Sequence, residues 1–388
     1  MPTANTIPLN SLRTSCFIWS LVLFSFATLA NAQQVDVWFG TTATKKAQSK
    51  GIYHANFDTD TGKLSQPTLA VEADSPGFLA MHPNGKILYA AAQESGKGVV
   101  VAYKINKGNE QASLTKINSI AIGHGTAVHL SVDRSGKFLL TAQYRYGSTA
   151  LFDLADDGSI ISQRQLLKHE GGSGVVKKRQ DKPHAHWVGT SPDNQYVFVP
   201  DLGTDKVLIL KLDALAATLS PHGFGACPPG SGPRHMKFDP TGTRIYVLNE
   251  LTLSITTFDY DKTAGTMTPV QTVETLSEVT KAKEEFNSAS EIRVHPSGKF
   301  VYSANRGNDT ISVFRVDPTT KNLSIVEVEP IRGSWPRNFN LDPTGKWLIA
   351  AGQKSNTATV FSIDQSTGEL TYVRKSVTVP SSICVLFE

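Results

Sequence analysis

The sequence predicts an all-β fold, a seven-bladed β-propeller of four-stranded antiparallel blades. Three observations carry that expectation. A phrase made of a small-residue or Pro-rich entry, an apolar strand, a Pro-x-Gly-type turn and a second apolar strand recurs seven times, at a spacing of about 50 residues. A second phrase, an apolar run closing on Asp or Asn, alternates with it. Finally, the last copy of the first phrase stops after one strand, while the first copy of the second stands alone near the N-terminus.

The elements follow in order. Val35-Asp36-Val37-Trp38-Phe39-Gly40 and Ile52-Tyr53-His54-Ala55-Asn56-Phe57-Asp58 are the first two strands. The opening phrase then appears complete, with Pro76-Gly77-Phe78 at its entry and His82-Pro83-Asn84-Gly85 at its turn. Its turn returns as Asp133-Arg134-Ser135-Gly136, Ser191-Pro192-Asp193-Asn194, Asp239-Pro240-Thr241-Gly242, His295-Pro296-Ser297-Gly298 and Asp342-Pro343-Thr344-Gly345. After each of these turns comes a second-phrase strand, ending in turn at Asn106, Asp153, Asp213, Asp259, Asp317 and Asp364. Their period-two alternation puts apolar residues against the neighbouring blade. The final strand, around Ile383-Cys384-Val385-Leu386-Phe387, has no partner of its own. Joined to the N-terminal strands it completes one blade from both chain ends, which leaves no open sheet edge at the seam.

The first residues read as a leader rather than part of the ring. Arg13 precedes an apolar stretch over 17–27, and Leu29-Ala30-Asn31-Ala32 supplies a small-x-small cleavage signal. The stretch is short for a membrane span. The expectation is a signal peptide over 1–32 cleaved after Ala32, and a propeller domain over 33–388 that is exported, periplasmic or secreted, without stable membrane insertion. Cys227 and Cys384 are too few for a disulfide framework and read as buried, although a single bridge stays open. A formal net charge of +4 gives nucleic-acid binding little support. A ring of modules packing on their neighbours needs no second domain, and a monomer or weak oligomer is expected.

Functional candidates are the places where the repeat is broken. Residues 169–187 insert a Gly-rich stretch, a Lys177-Lys178-Arg179 run and the pair His184-Ala185-His186 before a blade's innermost strand. The stretch lacks the Gly-Lys-Ser/Thr ending of a phosphate loop, and the lysines read as solvated. Alternate strand residues share a face, so His184 and His186 can both look into the channel. A metal is the weaker reading of this pair, since no acidic or Cys companion follows at ligand spacing. Pro233-Arg234-His235 opens the next innermost strand, and its hairpin partner ends in Asn249-Glu250, at the same end of the hairpin. Asn305-Arg306-Gly307 and Trp335-Pro336-Arg337 occupy related positions in the two following blades. Arginines, a glutamate and histidines thus converge on one rim, an arrangement suited to a carboxylate or phosphate because the guanidinium fork binds such groups bidentately.

At these residues the chain resembles the seven-bladed β-propeller lactonase family, which includes 6-phosphogluconolactonases and carboxymuconate-cyclising enzymes. The resemblance covers essentially the whole chain after the leader. It rests on Ser49-Lys50-Gly51, Gly172-Ser173-Gly174 with Arg179-Gln180, Pro183-His184-Ala185-His186, Asp201-Leu202-Gly203-Thr204-Asp205, Gly232-Pro233-Arg234-His235, Leu248-Asn249-Glu250 and Asn305-Arg306-Gly307. It implies His186, Arg234, Glu250 and Arg306 as catalytic residues. His184, Arg337 and Arg179 are the substrate-binding candidates, the partner is a small-molecule lactone, and no cofactor or metal is called for. The export signal sits awkwardly with a cytoplasmic phosphorylated substrate.

The chemistry so implied is hydrolytic opening of a sugar lactone, with arginines at the developing oxyanion or the substrate's anionic tail. Glu250 would take the proton from water and His186 protonate the ring oxygen, or the two roles are exchanged. The same residues could run muconate lactonisation instead. A non-catalytic propeller binding a glycan or protein would use exposed aromatics, for which Trp187 and Trp335 are the candidates.

Overall fold

The computed structural model describes residues 34–43, 49–108 and 111–388, which form seven sheets of antiparallel strands in a ring. The expected leader over 1–32, with Cys16, lies outside the described residues. Numbering from the closing blade, Ser382–Phe387 pairs with Gln34–Thr41, and Gln34–Thr41 in turn pairs with Gly51–Asp58. The blade's outer position is divided between Lys63–Leu64 and Thr68–Glu72. The second to seventh blades cover 74–121, 129–168, 189–226, 233–274, 288–330 and 336–378, each a meander of four consecutive strands. The closure is therefore the one the repeat count predicts.

Apolar clusters lie between blades rather than within them. Val37, Phe39 and Val385 of the closing blade bury against Ile349, Ala351 and Val360 of the seventh. Burying one such side chain fully contributes about 1.5–3 kcal/mol. Each blade can bury its faces only by having neighbours on both sides, so closing the seam is what makes the ring a single core.

The turns repeat one local device. Gly136, Gly242, Gly298 and Gly345 sit at positive φ, between 70° and 74°, and each donates its N–H to the carbonyl three residues back. In the fourth blade Asn194 takes the position at φ 62°, which a short polar side chain tolerates. The turn aspartates accept from the next strand's first N–H, as in Asp133 from Phe138 at 2.7 Å and Asp342 from Trp347 at 2.8 Å.

The innermost strands depart from simple alternation at their entries. The register slips between Pro233 and His235, between Pro336 and Asn338, and between Ala289 and Ile292. Arg234, Arg337 and the Ser290-Glu291 step are thus the extra residues of β-bulges, which re-aim side chains. The fourth blade differs more. Its innermost strand is only Gly189–Thr190, and the histidine pair precedes it, held by an isolated bridge between Ala185 and Asp201. The reading that put His184 and His186 on a regular strand is corrected here. The cause is Asp201, whose carboxylate takes the His184 N–H at 2.7 Å in place of a ladder carbonyl.

Cys227 and Cys384 are buried free thiols, so they do not pair. No helix among the described residues is long and apolar enough to cross a membrane.

Replacing buried Val385 by Asp puts a carboxylate into the closing seam without a partner. Chemical denaturation of Val385→Asp is expected to show a loss of about 3 kcal/mol or more. An unchanged transition would mean that the seam does not hold the ring.

Candidate active site

Glu250 follows Arg244–Asn249 directly, so it emerges where the second strand of the fifth blade leaves the sheet. Its N–H donates to the Gly232 carbonyl at 2.7 Å and its carbonyl accepts from Ala289 at 3.1 Å, which fixes it between two blades. Three guanidiniums meet its carboxylate. Arg179 bonds Oε1 at 2.6 Å, Arg234 bonds Oε2 through Nε at 2.9 Å, and an Arg306 nitrogen stands 3.2 Å from Oε2. Burial by itself would raise the Glu250 pKa, but Arg306 and Arg234 outweigh it and hold the carboxyl far below its ordinary value.

The arginines are themselves tethered. Arg234 also donates to the Ser290 carbonyl, and Arg306 donates to the Ala289 carbonyl at 2.9 Å. Gly307, next to Arg306, has φ 94° and lies so close to Phe286 that a Cβ would sit 1.8 Å from its carbonyl oxygen. No other residue fits there without moving the arginine's strand end. Arg337 is different. Among the described residues no side chain or carbonyl hydrogen-bonds its guanidinium, and burial followed by the nearby Arg306 charge brings its pKa down to about 10.

Arg179 reaches Glu250 from the inserted segment, which proves to be ordered. Gln180 donates to the Leu202 carbonyl at 2.9 Å and to Asp205 at 2.6 Å. Asp205 also accepts from Gly230 at 2.7 Å and Gly232 at 2.8 Å, just ahead of Arg234. One buried carboxylate therefore positions two of the arginines. Lys177 and Lys178 are exposed, as read from the sequence.

The two histidines separate in role. His184 donates Nδ1–H to the Tyr144 carbonyl at 2.8 Å and stacks on the Tyr144 ring at 4.4 Å. His186 is buried, with its Nδ1 making no protein hydrogen bond, and it lines a cavity of about 190 Å³ together with Arg234, His235, Arg337, Gly77 and Phe78. Burial, then the Arg234 charge, depresses its pKa well below the imidazole range, so the ring is neutral. Among the described residues no group of three or more His, Cys, Asp or Glu is placed to hold a metal ion.

The predicted residues thus gather at one end of the channel, with Arg179, Arg234, Glu250 and Arg306 in direct contact, His186 and Arg337 on the cavity wall, and His184 turned to Tyr144. Sequence reasoning missed Tyr144, whose hydroxyl accepts from Arg179 at 3.3 Å and whose ring meets His186 edge-on at 5.4 Å. Aligning the ends of the second strands would have found it, since Gln143-Tyr144 stands where Asn249-Glu250 and Asn305-Arg306 do. The indoles proposed for a binding surface are packed. Trp187 is buried under Lys237 at 4.9 Å, and Trp335 stacks on Phe286 with Lys354 3.2 Å from its ring centre.

The chain matches the family model described as lactonase, 7-bladed β-propeller, over residues 36–387. It is 37% identical to the 6-phosphogluconolactonase of Bacillus subtilis over 343 residues, covering 88% of this chain and 95% of that protein. It is 32% identical to the 6-phosphogluconolactonase of Formosa agariphila, covering 77% and 84%. Among solved structures, the periplasmic gluconolactonase of Pseudomonas aeruginosa superposes with a TM-score of 0.83 at 27% identity, covering 92% of this chain and 99% of that one.

Removing the Asp205 carboxylate leaves three buried donors without an acceptor. Asp205→Ala is expected to cost about 3 kcal/mol in chemical denaturation and to loosen Arg179 and Arg234 together. Wild-type stability would show that the two loops hold themselves.

Proposed function

The chain belongs to the seven-bladed β-propeller lactonases, and from that we propose that it hydrolyses a sugar lactone to its aldonic acid at the arginine-rich end of the channel. The observation that carries this reading is the single carboxylate of Glu250 under three guanidiniums, beside the unpaired Arg337 on the wall of the cavity. Net positive charge, fixed in place by backbone carbonyls, is preorganised for an oxyanion.

Water adds to the ring carbonyl, and the carbon–oxygen π pair moves onto the carbonyl oxygen, which Arg234 and Arg306 stabilise. The carbonyl re-forms as the ring carbon–oxygen bond breaks, and the ring oxygen leaves as a hydroxyl after taking a proton. His186 hydrogen-bonds that leaving oxygen. Both Glu250 oxygens are taken up by guanidiniums, so its part is to hold them, and the water's proton goes to an imidazole. Arg337 takes an anionic substituent on the substrate, with Arg179 at the more open side of the cluster. The names of the relatives leave both a phosphorylated and a plain gluconolactone as candidates.

A pH-stat assay of the protein against 6-phosphogluconolactone and gluconolactone tests this. Glu250→Gln and Arg306→Ala are each expected to lose at least 100-fold in kcat/KM while remaining folded. Arg337→Ala is expected to raise KM about tenfold or more for the phosphorylated lactone and less for the plain one. Wild-type turnover in Glu250→Gln and Arg306→Ala would sink the site, and formation of a lactone from a muconate without hydrolysis would replace the reaction.

The leader motif over 1–32 and the likeness to the periplasmic gluconolactonase of Pseudomonas aeruginosa support export. N-terminal sequencing of protein secreted or released from the periplasm is expected to begin at Gln33. An intact N-terminus in the cytoplasmic fraction would reject export.

A further inference from the structure

Counted back from their turns, the entries of the innermost strands form successive layers one residue apart. Gly77, Val128, His186, Arg234, Ser290, Arg337 and Ile383 hold equivalent places in the uppermost layer. The next layer contains His129, His235, Glu291 and Asn338, none of which the mechanism above uses. His235 and Glu291 reach it because both lie at bulges, where the ladder carries an extra residue beside each of them.

Glu291 is fully buried, and every contact it makes in this layer is from a donor. Ile292 donates its N–H at 3.0 Å, Asn338 donates through Nδ2, and the Arg293 guanidinium stands at 3.5 Å. The remaining partner is His235 Nδ1, at 3.1 Å. A carboxylate so surrounded accepts, which makes Nδ1 the protonated nitrogen of His235. The lone pair then lies on Nε2, which is buried and has no hydrogen-bond partner among the described residues. His235 also lines the cavity. Its ring meets that of His186 edge-on, with centroids 5.3 Å apart, and that of His129 likewise at 5.4 Å.

His186 has no equivalent support. No carboxylate bonds its ring, and the nearby Glu250 already carries three guanidiniums. A counter-charge on the far side favours an imidazole that takes a proton, and of His186 and His235 it is His235 that has one.

We propose that His235, oriented by the Glu291 carboxylate, is the general base of the lactone hydrolysis, and that Glu291 is its positioning residue. The inference rests on the lactonase reading of the site. Nε2 takes one proton from the attacking water as the water oxygen bonds the lactone carbonyl carbon. Glu291 stabilises the imidazolium so formed. When the ring carbon–oxygen bond breaks, that proton passes to the departing oxygen and His235 returns to neutral. His186 donates a hydrogen bond to the same oxygen throughout.

Two variants at each of His235 and Glu291 and one spectroscopic measurement test the assignment. His235→Asn keeps an amide donor near Nδ1 and removes Nε2, and His235→Gln puts a non-basic amide near Nε2. Each is expected to lower kcat at least 100-fold with KM within threefold of wild type, in the range of a lost general base. Nitrogen NMR of wild-type protein is expected to show the Nδ1–H tautomer of His235, shifting toward a mixture in Glu291→Gln, with Glu291→Asp retaining more of the wild-type kcat than Glu291→Gln. The tautomer is read on wild-type protein and so decides the matter even if both His235 variants unfold. An active wild type whose folded His235→Asn variant turns over within threefold of it overturns the base alone, as does an Nε2–H tautomer. A wild type inert toward every lactone overturns the lactonase reading and the base with it.

Discussion

Everything in this ring depends on one strand pairing, that of Gln34–Thr41 with Ser382–Phe387. The blades bury their apolar faces on each other, so a seam left open would expose two of those faces and a row of unpaired backbone groups. The pairing also reaches the active end. Val385 donates its N–H to the Asn338 side-chain oxygen at 2.8 Å, and the same Asn338 amide bonds Glu291. The closing strand is in this way coupled to the carboxylate that orients His235.

A closed ring makes the channel a rigid place to concentrate like charge. Arg179, Arg234, Arg306 and Arg337 share one end with a single carboxylate, an arrangement that would repel itself on a flexible surface. Here the cost is offset by carbonyls from Ala289 and Ser290, by Glu250 and by the loop anchored on Asp205. Substrate with a negative group completes the balance, which is a physical reason for such a site to be selective for anions or for anionic transition states. The same field keeps His186 and His235 neutral, burial being the larger cause and the arginines the second. Glu250, for its part, is spent on holding cations.

The repeats made most of the architecture legible. Tight turns and alternating apolar strands are local devices, and the seven copies of the repeat, the last one cut short, give the blade count without any knowledge of contacts. The meeting of Arg234 with Glu250 was also readable, because a hairpin fixes both ends. What alternation could not reveal were the bulges. In a regular strand Arg234 and His235 face opposite sides, and nothing in Pro233-Arg234-His235-Met236 announces the slipped register that brings both into the site. The capture of the His184 N–H by Asp201 was equally invisible, since it depends on a carboxylate 17 residues away.

By itself the sequence determined the modular fold, the closure of the ring by its two ends and the collection of Arg, Glu and His at one rim, because these follow from period and from position within a repeat. Only the tertiary structure decided which groups are charged, which are already satisfied and which are free. Glu250 is buried among guanidiniums, His184 is committed to Tyr144, and Arg337 and the His235 Nε2 have no hydrogen-bond partner among the described residues. Such distinctions arise from distances between blades far apart in the chain, and burial magnifies them by removing the water that would otherwise screen each charge.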